Sequence, residues 1–454
     1  MSAIKLKKRL FGTNGVRGII GKDMTPELVY TIGCALGSMR TGSIAVGRDT
    51  RTSGPALASA LKAGLLATGC EVTDCGVLPT PALQYLVRGC YDAGAVITAS
   101  HNPPEYNGVK VIEPDGTEMG DEEIVRLEEL IYDKKPDLAP WDGVGSEFAA
   151  PDLVQEYIRA VVSHFPPDIG RGMTVAVDPG SGAACFTTPE ILTRLGCRVF
   201  SINSHMDGKF PGRLPEPSPE GLAPLGELVR STGARLGIAH DGDADRAVFL
   251  DEKGDFLEEN QEFGLIAGHV CRMKKGVVVM PVSTSMVVEV IARRYGSEVV
   301  YTPVGSIYVA RTMRALEAGG VPVILGGEGN GGIIYPDHQY CRDGGMTAAM
   351  MVAILAEEQK PLSTLASEMP SFHLIKEKVH IDDPPALILE IDEHFRHDQI
   401  DRTDGIRINR PGTWALVRAS GTEPLVRILV ESQDKAIAQA LHEEILQVLN
   451  RSIY

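Results

Sequence analysis

A lone serine, a string of aspartates and two loops rich in small residues are the parts of this chain able to do chemistry. Ser100 stands in TASHNPPEYNGVK, residues 98–110, directly after the apolar run 93–97. A loop at the C-terminal edge of a strand is where α/β proteins place ligands. Pro103 and Pro104 restrict the backbone, and Pro103 biases Asn102 away from helix. A hydroxyl on a stiffened loop suits a nucleophile or a phosphoryl carrier, because attack needs a fixed geometry. Ser, Asn and Pro also make ordinary turns, so this stretch alone leaves both readings open. His101 is either a proton-handling group or a hydrogen-bonding partner.

The second feature is GIAHDGDADRAVFLDEKGDFLE, residues 237–258, in which Asp241, Asp243 and Asp245 alternate. Clustered carboxylates repel one another unless a hard cation sits among them, so oxygen ligation of Mg²⁺ is expected. An EF-hand would also begin DxDxD, but Arg246 takes the sixth place, where the tight turn needs Gly. AVFLDEKGDFL moreover reads as a hairpin, not an exiting helix. A haloacid-dehalogenase signature needs a Thr or Val that this loop does not supply in register. Two further loops invite a ligand. LGGEGNGGIIYPDH, 325–338, sets Glu328 and Asn330 among five glycines, where a carboxylate and an amide can grip adjacent hydroxyls. VRASGTEPLVRIL, 417–429, sets Ser420, Gly421 and Thr422 between Arg418 and Arg427, which makes either a phosphate nest or a plain hairpin turn. Arg17 in FGTNGVRGIIG and Arg48 and Arg51 in GRDTR either meet a phosphate or pair with a carboxylate.

Strands and helices must hold these loops. Segments 43–76, 173–203 and 276–305 each read as a β-branched run, a polar turn, a helix-period stretch and a second β run. That is a βαβ signature three times over, at intervals too long for a solenoid. From about 370 the runs FHLIKEKVHI, ALILEIDEHF, TWALVRAS and LVRILVES precede a helix-period run, which fits a smaller α+β domain. The expected domains are 1–150, 151–254, 255–369 and 370–454, with the Pro- and Gly-rich stretch 134–152 as a linker. The formal net charge of −16 argues against a nucleic-acid or anionic-membrane surface. MSAIKLKKRLFG lacks the apolar core of a signal peptide, and no run approaches eighteen apolar residues. The eight scattered cysteines make no CxxC pair and read as reduced thiols. A cytoplasmic enzyme with no nucleic-acid or membrane partner is the expectation.

Taken together, the four loops resemble the α-D-phosphohexomutase superfamily, one motif per domain in the family's order along nearly the whole chain. The resemblance implies three similar α/β domains with mixed sheets and a smaller TATA-box-binding-protein-like fourth domain around a central cleft. By this likeness Ser100 is the phosphoserine, and Asp241, Asp243 and Asp245 hold Mg²⁺ with a phosphoserine oxygen. Glu328 and Asn330 fall in the sugar loop, and the segment carrying Arg418, Ser420, Gly421, Thr422 and Arg427 binds the phosphate that is not reacting. Arg17, His101, Lys110 and Arg246 match positions lining the reaction site. The opening FGTNGVRG is similar to the phosphoglucosamine mutase branch, which implies a phosphosugar substrate, a hexose 1,6-bisphosphate activator and a monomer or homodimer. One departure bears on the sugar: the family's GExSGH is here GEGNGG, with Asn330 for Ser and Gly332 for His. Phosphomannomutase or phosphoglucomutase activity is the near alternative. A Mg²⁺-dependent sugar phosphatase with an aspartate nucleophile, or a regulator that binds sugar phosphate without turnover, are the distant ones.

Overall fold

A computed structural model describes residues 8–452 apart from 13, 134, 382 and 420–424. It resolves into two compact units, Met1–Glu262 with Asn330–Ser367, and Phe263–Gly329 with Glu368–Tyr454.

The first unit holds two mixed sheets. One runs in the order Val16–Ile19, Tyr106–Ile112, Ala93–Ile97, Ser43–Arg48, Glu71–Val77, Glu147–Ala149. Its central strands are parallel and joined by helices such as Gly54–Ala67, and Tyr106–Ile112 returns antiparallel beside Ala93–Ile97. Ala93–Ile97 is buried along its whole length, as a strand covered on both faces must be. The second sheet runs Ala247–Leu250, Leu236–His240, Thr174–Asp178, Arg198–Ser201, with only the first strand antiparallel. Both sheets therefore end their central strands in site loops, at residues 98 and 241. The helix Gly344–Glu358 belongs to this unit and is buried at every position from Gly344 to Leu355, which fits its uninterrupted run of small and apolar residues.

The second unit contains the parallel strands Glu298–Thr302, Val277–Pro281 and Val323–Glu328. It also contains a five-stranded antiparallel sheet, His373–His380, Leu425–Ser432, Thr413–Ala419, Ile406–Arg410, Gln399–Asp401. The run ALILEIDEHF lies in the helix Pro384–His394. Two prolines sit in its first turn and Asp383 caps it, accepting from the Ala386 N–H at 3.1 Å. This helix and Lys435–Ser452 cover one face of the sheet through Leu387, Ile391, Ala438, Leu441 and Ile445. The three βαβ readings are found as Ser43–Val77, Thr174–Ser201 and Val277–Thr302. All eight cysteines are free, and no helix among the described residues is long and apolar enough to cross a membrane.

Candidate active site

Ser100 leaves the strand Ala93–Ile97 with φ of +50°, a left-handed conformation uncommon outside glycine. The loop is held there locally, for the Ser100 N–H donates to Thr98 Oγ1 at 2.9 Å. Its hydroxyl points inward: Ser100 Oγ donates to Asp241 Oδ2 at 2.8 Å and lies 3.4 Å from His101 Nδ1. Both partners of the Ser100–Asp241 contact are buried. The two loops approach so closely that a Cβ on Gly242 would stand 2.5 Å from the Ser100 carbonyl oxygen, so only glycine fits there.

Asp241, Asp243 and Asp245 bring carboxylate oxygens within 4.8 Å of one another, all three buried. Lys110 Nζ reaches Asp243 at 2.8 Å and Asp245 at 3.2 Å. Arg342 reaches Asp245 at 2.5 Å, and Thr80 Oγ1 donates to Asp243 at 2.6 Å. Burial pushes all three carboxyls up. Lys110 and Thr80 outweigh it at Asp243, and Arg342 outweighs it at Asp245, so both sit below the usual carboxylate range. Asp241, repelled by Asp245 and Asp243, stays well above. Oδ1 of Asp243 and Oδ1 of Asp245 are buried with no hydrogen-bond partner. An oxygen-rich, dry cluster with two such orphaned atoms fits a hard divalent cation.

Around this centre stand the other predicted groups. Arg246 donates to His101 Nδ1 at 3.1 Å and to Glu216 at 3.2 Å, and its N–H to Asp241 at 3.3 Å. An arginine can only donate, so Nδ1 is the unprotonated nitrogen of His101. Burial, then Arg246 and Arg17, push His101 down to about 3, which keeps it neutral near pH 7. Arg17 donates to Asn102 Oδ1 at 2.8 Å and so ties the N-terminal strand to the serine loop. Lys110 is buried between two of these carboxylates: burial lowers its pKa, but Asp243 and Asp245 outweigh that and raise it above the ordinary value.

Asn330 also lies in this unit, while Glu328 ends the strand Val323–Glu328 in the other. Arg418, in that second unit, pairs with Asp404 at 2.8 Å. Arg427 stands opposite it across the two strands and is exposed. Ser420, Gly421 and Thr422 lie outside the described residues. Sequence reading missed Arg342, Thr80 and Glu216, which sit in no recognisable loop of their own. A Cβ at Gly332 would meet Arg342 Cδ at 2.4 Å.

Four family models cover the chain: phosphoglucomutase/phosphomannomutase alpha/beta/alpha domain I over 8–137, domain II over 155–254, domain III over 258–372 and the C-terminal domain over 377–448. A phosphoglucomutase/phosphomannomutase of Thermococcus kodakarensis is 42% identical, over 98% of this chain and 99% of its own. A "probable phosphoglucosamine mutase" of Methanopyrus kandleri is 41% identical, over 98% of each. The crystal structure of a phosphoglucomutase/phosphomannomutase family protein from Burkholderia thailandensis superposes with a TM-score of 0.87 at 28% identity, over 97% of each chain. Three α/β sheets, an antiparallel C-terminal sheet and a loop serine against clustered aspartates thus define an isomerase of the phosphohexomutase class. The chain belongs to the α-D-phosphohexomutase superfamily, in the branch of the archaeal phosphoglucosamine mutases.

Proposed function

We propose that this chain is a phosphoglucosamine mutase interconverting glucosamine 6-phosphate and glucosamine 1-phosphate. The observation that carries the mechanism is Ser100 Oγ, buried and 2.8 Å from Asp241 inside the aspartate cluster. In the first step a hydroxyl oxygen of the sugar monophosphate attacks the phosphorus carried on Ser100. The Oγ–P bond breaks, the hydroxyl loses its proton and Ser100 Oγ gains one. The resulting 1,6-bisphosphate then presents its other phosphate: Ser100 Oγ attacks that phosphorus and loses its proton, the sugar–O–P bond breaks, and the freed sugar oxygen gains a proton. Asp241, Asp243 and Asp245 would hold Mg²⁺, which when bound neutralises charge on the transferred phosphoryl oxygens. The chain's own work is positioning and charge: Arg17 and Arg246 face the serine loop, and Lys110 and Arg342 keep Asp243 and Asp245 ionised and aimed. His101, with Nδ1 3.4 Å from Ser100 Oγ, is assigned to the reaction site beside that oxygen.

Glu328 and Asn330 are assigned to sugar hydroxyls, and Arg418, Ser420, Gly421, Thr422 and Arg427 to the non-reacting phosphate. The four domains are taken to break near 150, 254 and 369. The enzyme is read as cytoplasmic, activated by a hexose 1,6-bisphosphate, monomeric or homodimeric, with no nucleic-acid or membrane partner. A second reading is favoured by Asn330, Gly332 and the name of the Thermococcus relative: phosphomannomutase or phosphoglucomutase activity on the same site. A phosphorus NMR time course decides between them. The protein, Mg²⁺ and a trace of hexose 1,6-bisphosphate are given glucosamine 6-phosphate and mannose 6-phosphate together. Glucosamine 1-phosphate is expected first; faster mannose 1-phosphate selects the second reading, and release of inorganic phosphate alone ends both.

A further inference from the structure

Arg51, in the GRDTR stretch, is fully buried. Its Nε pairs with Asp49 at 3.1 Å. Its NH1 donates to the carbonyls of Pro103 and Tyr106 at 2.7 and 2.9 Å. Its NH2 donates to the carbonyls of Ser100 and Asn102 at 2.8 and 2.6 Å. A guanidinium has five N–H donors, and all five are spent, so none is left for a phosphate. Four of the five hold the main chain of the serine loop from behind. Asp49 is fixed in turn, accepting from the Arg51 N–H at 2.9 Å and from Thr98 Oγ1 at 2.7 Å. Thr98 Oγ1 is also the atom that accepts from the Ser100 N–H.

The stretch 49–51 also reaches the support of the aspartate loop. Thr50 Oγ1 donates to the Ser181 carbonyl at 2.9 Å, and residue 51 forms a β-bridge with Gly208. A Cβ on Gly208 would stand 2.3 Å from the Thr50 carbonyl oxygen, and the Phe210 ring lies 5.3 Å from the guanidinium. From that stretch Arg213 donates to the His240 carbonyl at 2.6 Å, and the Ala183 N–H donates to the Gly242 carbonyl at 3.0 Å. Residues 49–51 therefore clamp the loop of Ser100 on one side and the bed of Asp241 on the other.

We propose that Arg51, with Asp49 and Thr98, is a positioning residue for phosphoryl transfer: it holds Ser100 in its left-handed conformation and in register with the aspartate cluster. The proposal rests on the reading of Ser100 as the phosphoryl carrier. Lysine keeps the charge but cannot donate to four carbonyls at once, and misplacement of a reacting group by an ångström costs about 10²-fold in rate.

The test uses the full chain as wild type, Arg51→Lys and Thr98→Val, the last losing only a hydroxyl at nearly unchanged volume. Amide exchange of the peptide covering 98–106 is followed by mass spectrometry, beside kcat and KM for glucosamine 6-phosphate and mannose 6-phosphate. Arg51→Lys is expected to speed exchange in 98–106 selectively and to lower kcat by about 10- to 100-fold, with KM within about threefold. Thr98→Val is expected to move both readouts the same way by less, and it carries the test if the lysine variant does not fold. Unchanged kcat and exchange, or exchange speeded equally throughout the chain, overturns the proposal. A wild type that turns over neither sugar defeats the functional reading instead, while selective release of 98–106 in the variants still supports the clamp.

Discussion

Ser100 and Asp241 depend on each other, and their variants should behave differently. Ser100→Ala removes the atom that carries phosphate, so turnover should fall by at least about 10³-fold while folding is kept; steady-state assay and thermal melting check both parts. Asp241 is the carboxylate that burial and its two neighbours disfavour when charged. Asp241→Asn should therefore raise the melting temperature of the metal-free protein, yet abolish the further rise that Mg²⁺ gives the wild type. Melts with EDTA and with Mg²⁺ decide it; a variant still stabilised by Mg²⁺ would remove Asp241 from the metal ligands. The alternation of Asp241, Asp243 and Asp245 was readable as a cation site because it is local. The division of labour among them was not, since Lys110 and Arg342 arrive from 133 and 97 residues away in the chain.

The helix Gly344–Glu358 shows how an element carries the site. Its cap, Asp343, accepts from the Met346 N–H at 2.9 Å, Tyr157 OH at 2.6 Å and Gln339 at 2.7 Å, with His338 3.3 Å away. The preceding residue is Arg342, which holds Asp245. Burial raises the Asp343 carboxyl, but His338, Tyr157 and the Met346 N–H outweigh it and hold it below the usual range. Its folded pKa lies below the unfolded value near 3.9, so its stabilisation is complete above that value and is lost as pH falls through the folded one. Asp343→Asn should cost about 2–4 kcal/mol at pH 7 by urea unfolding. The gap to the wild type should shrink below about pH 4; a constant gap from pH 3 to 7 would mean the charge on Asp343 stabilises nothing. Most elements follow from periodicity alone. ALILEIDEHF did not announce itself, because its apolar residues suit either a strand or a helix, and Asp383 with Pro384 and Pro385 settles the choice.

On the scale of the whole chain, Ser100 belongs to the first unit and Arg418 to the second. Arg418→Ala is expected to raise KM about tenfold for every phosphosugar alike, because it removes phosphate binding common to all. An unchanged KM across substrates would take Arg418 out of the site and leave it as the partner of Asp404. Glu328→Ala should instead erode the preference between glucosamine and mannose phosphates, read as the ratio of their kcat/KM values. The amino-acid sequence alone determined the three βαβ repeats, the C-terminal α+β unit, the order of the four loops and the serine and aspartates within them. Those features are written in contiguous residues, through apolar period, turn formers and local charge. Only the tertiary structure decided that Lys110 pairs with Asp243 and Asp245, that Arg342 pairs with Asp245, and that Arg51 spends all five donors behind the serine loop. Each of those outcomes depends on which partner a long charged side chain meets when it is buried, and packing between distant segments sets that.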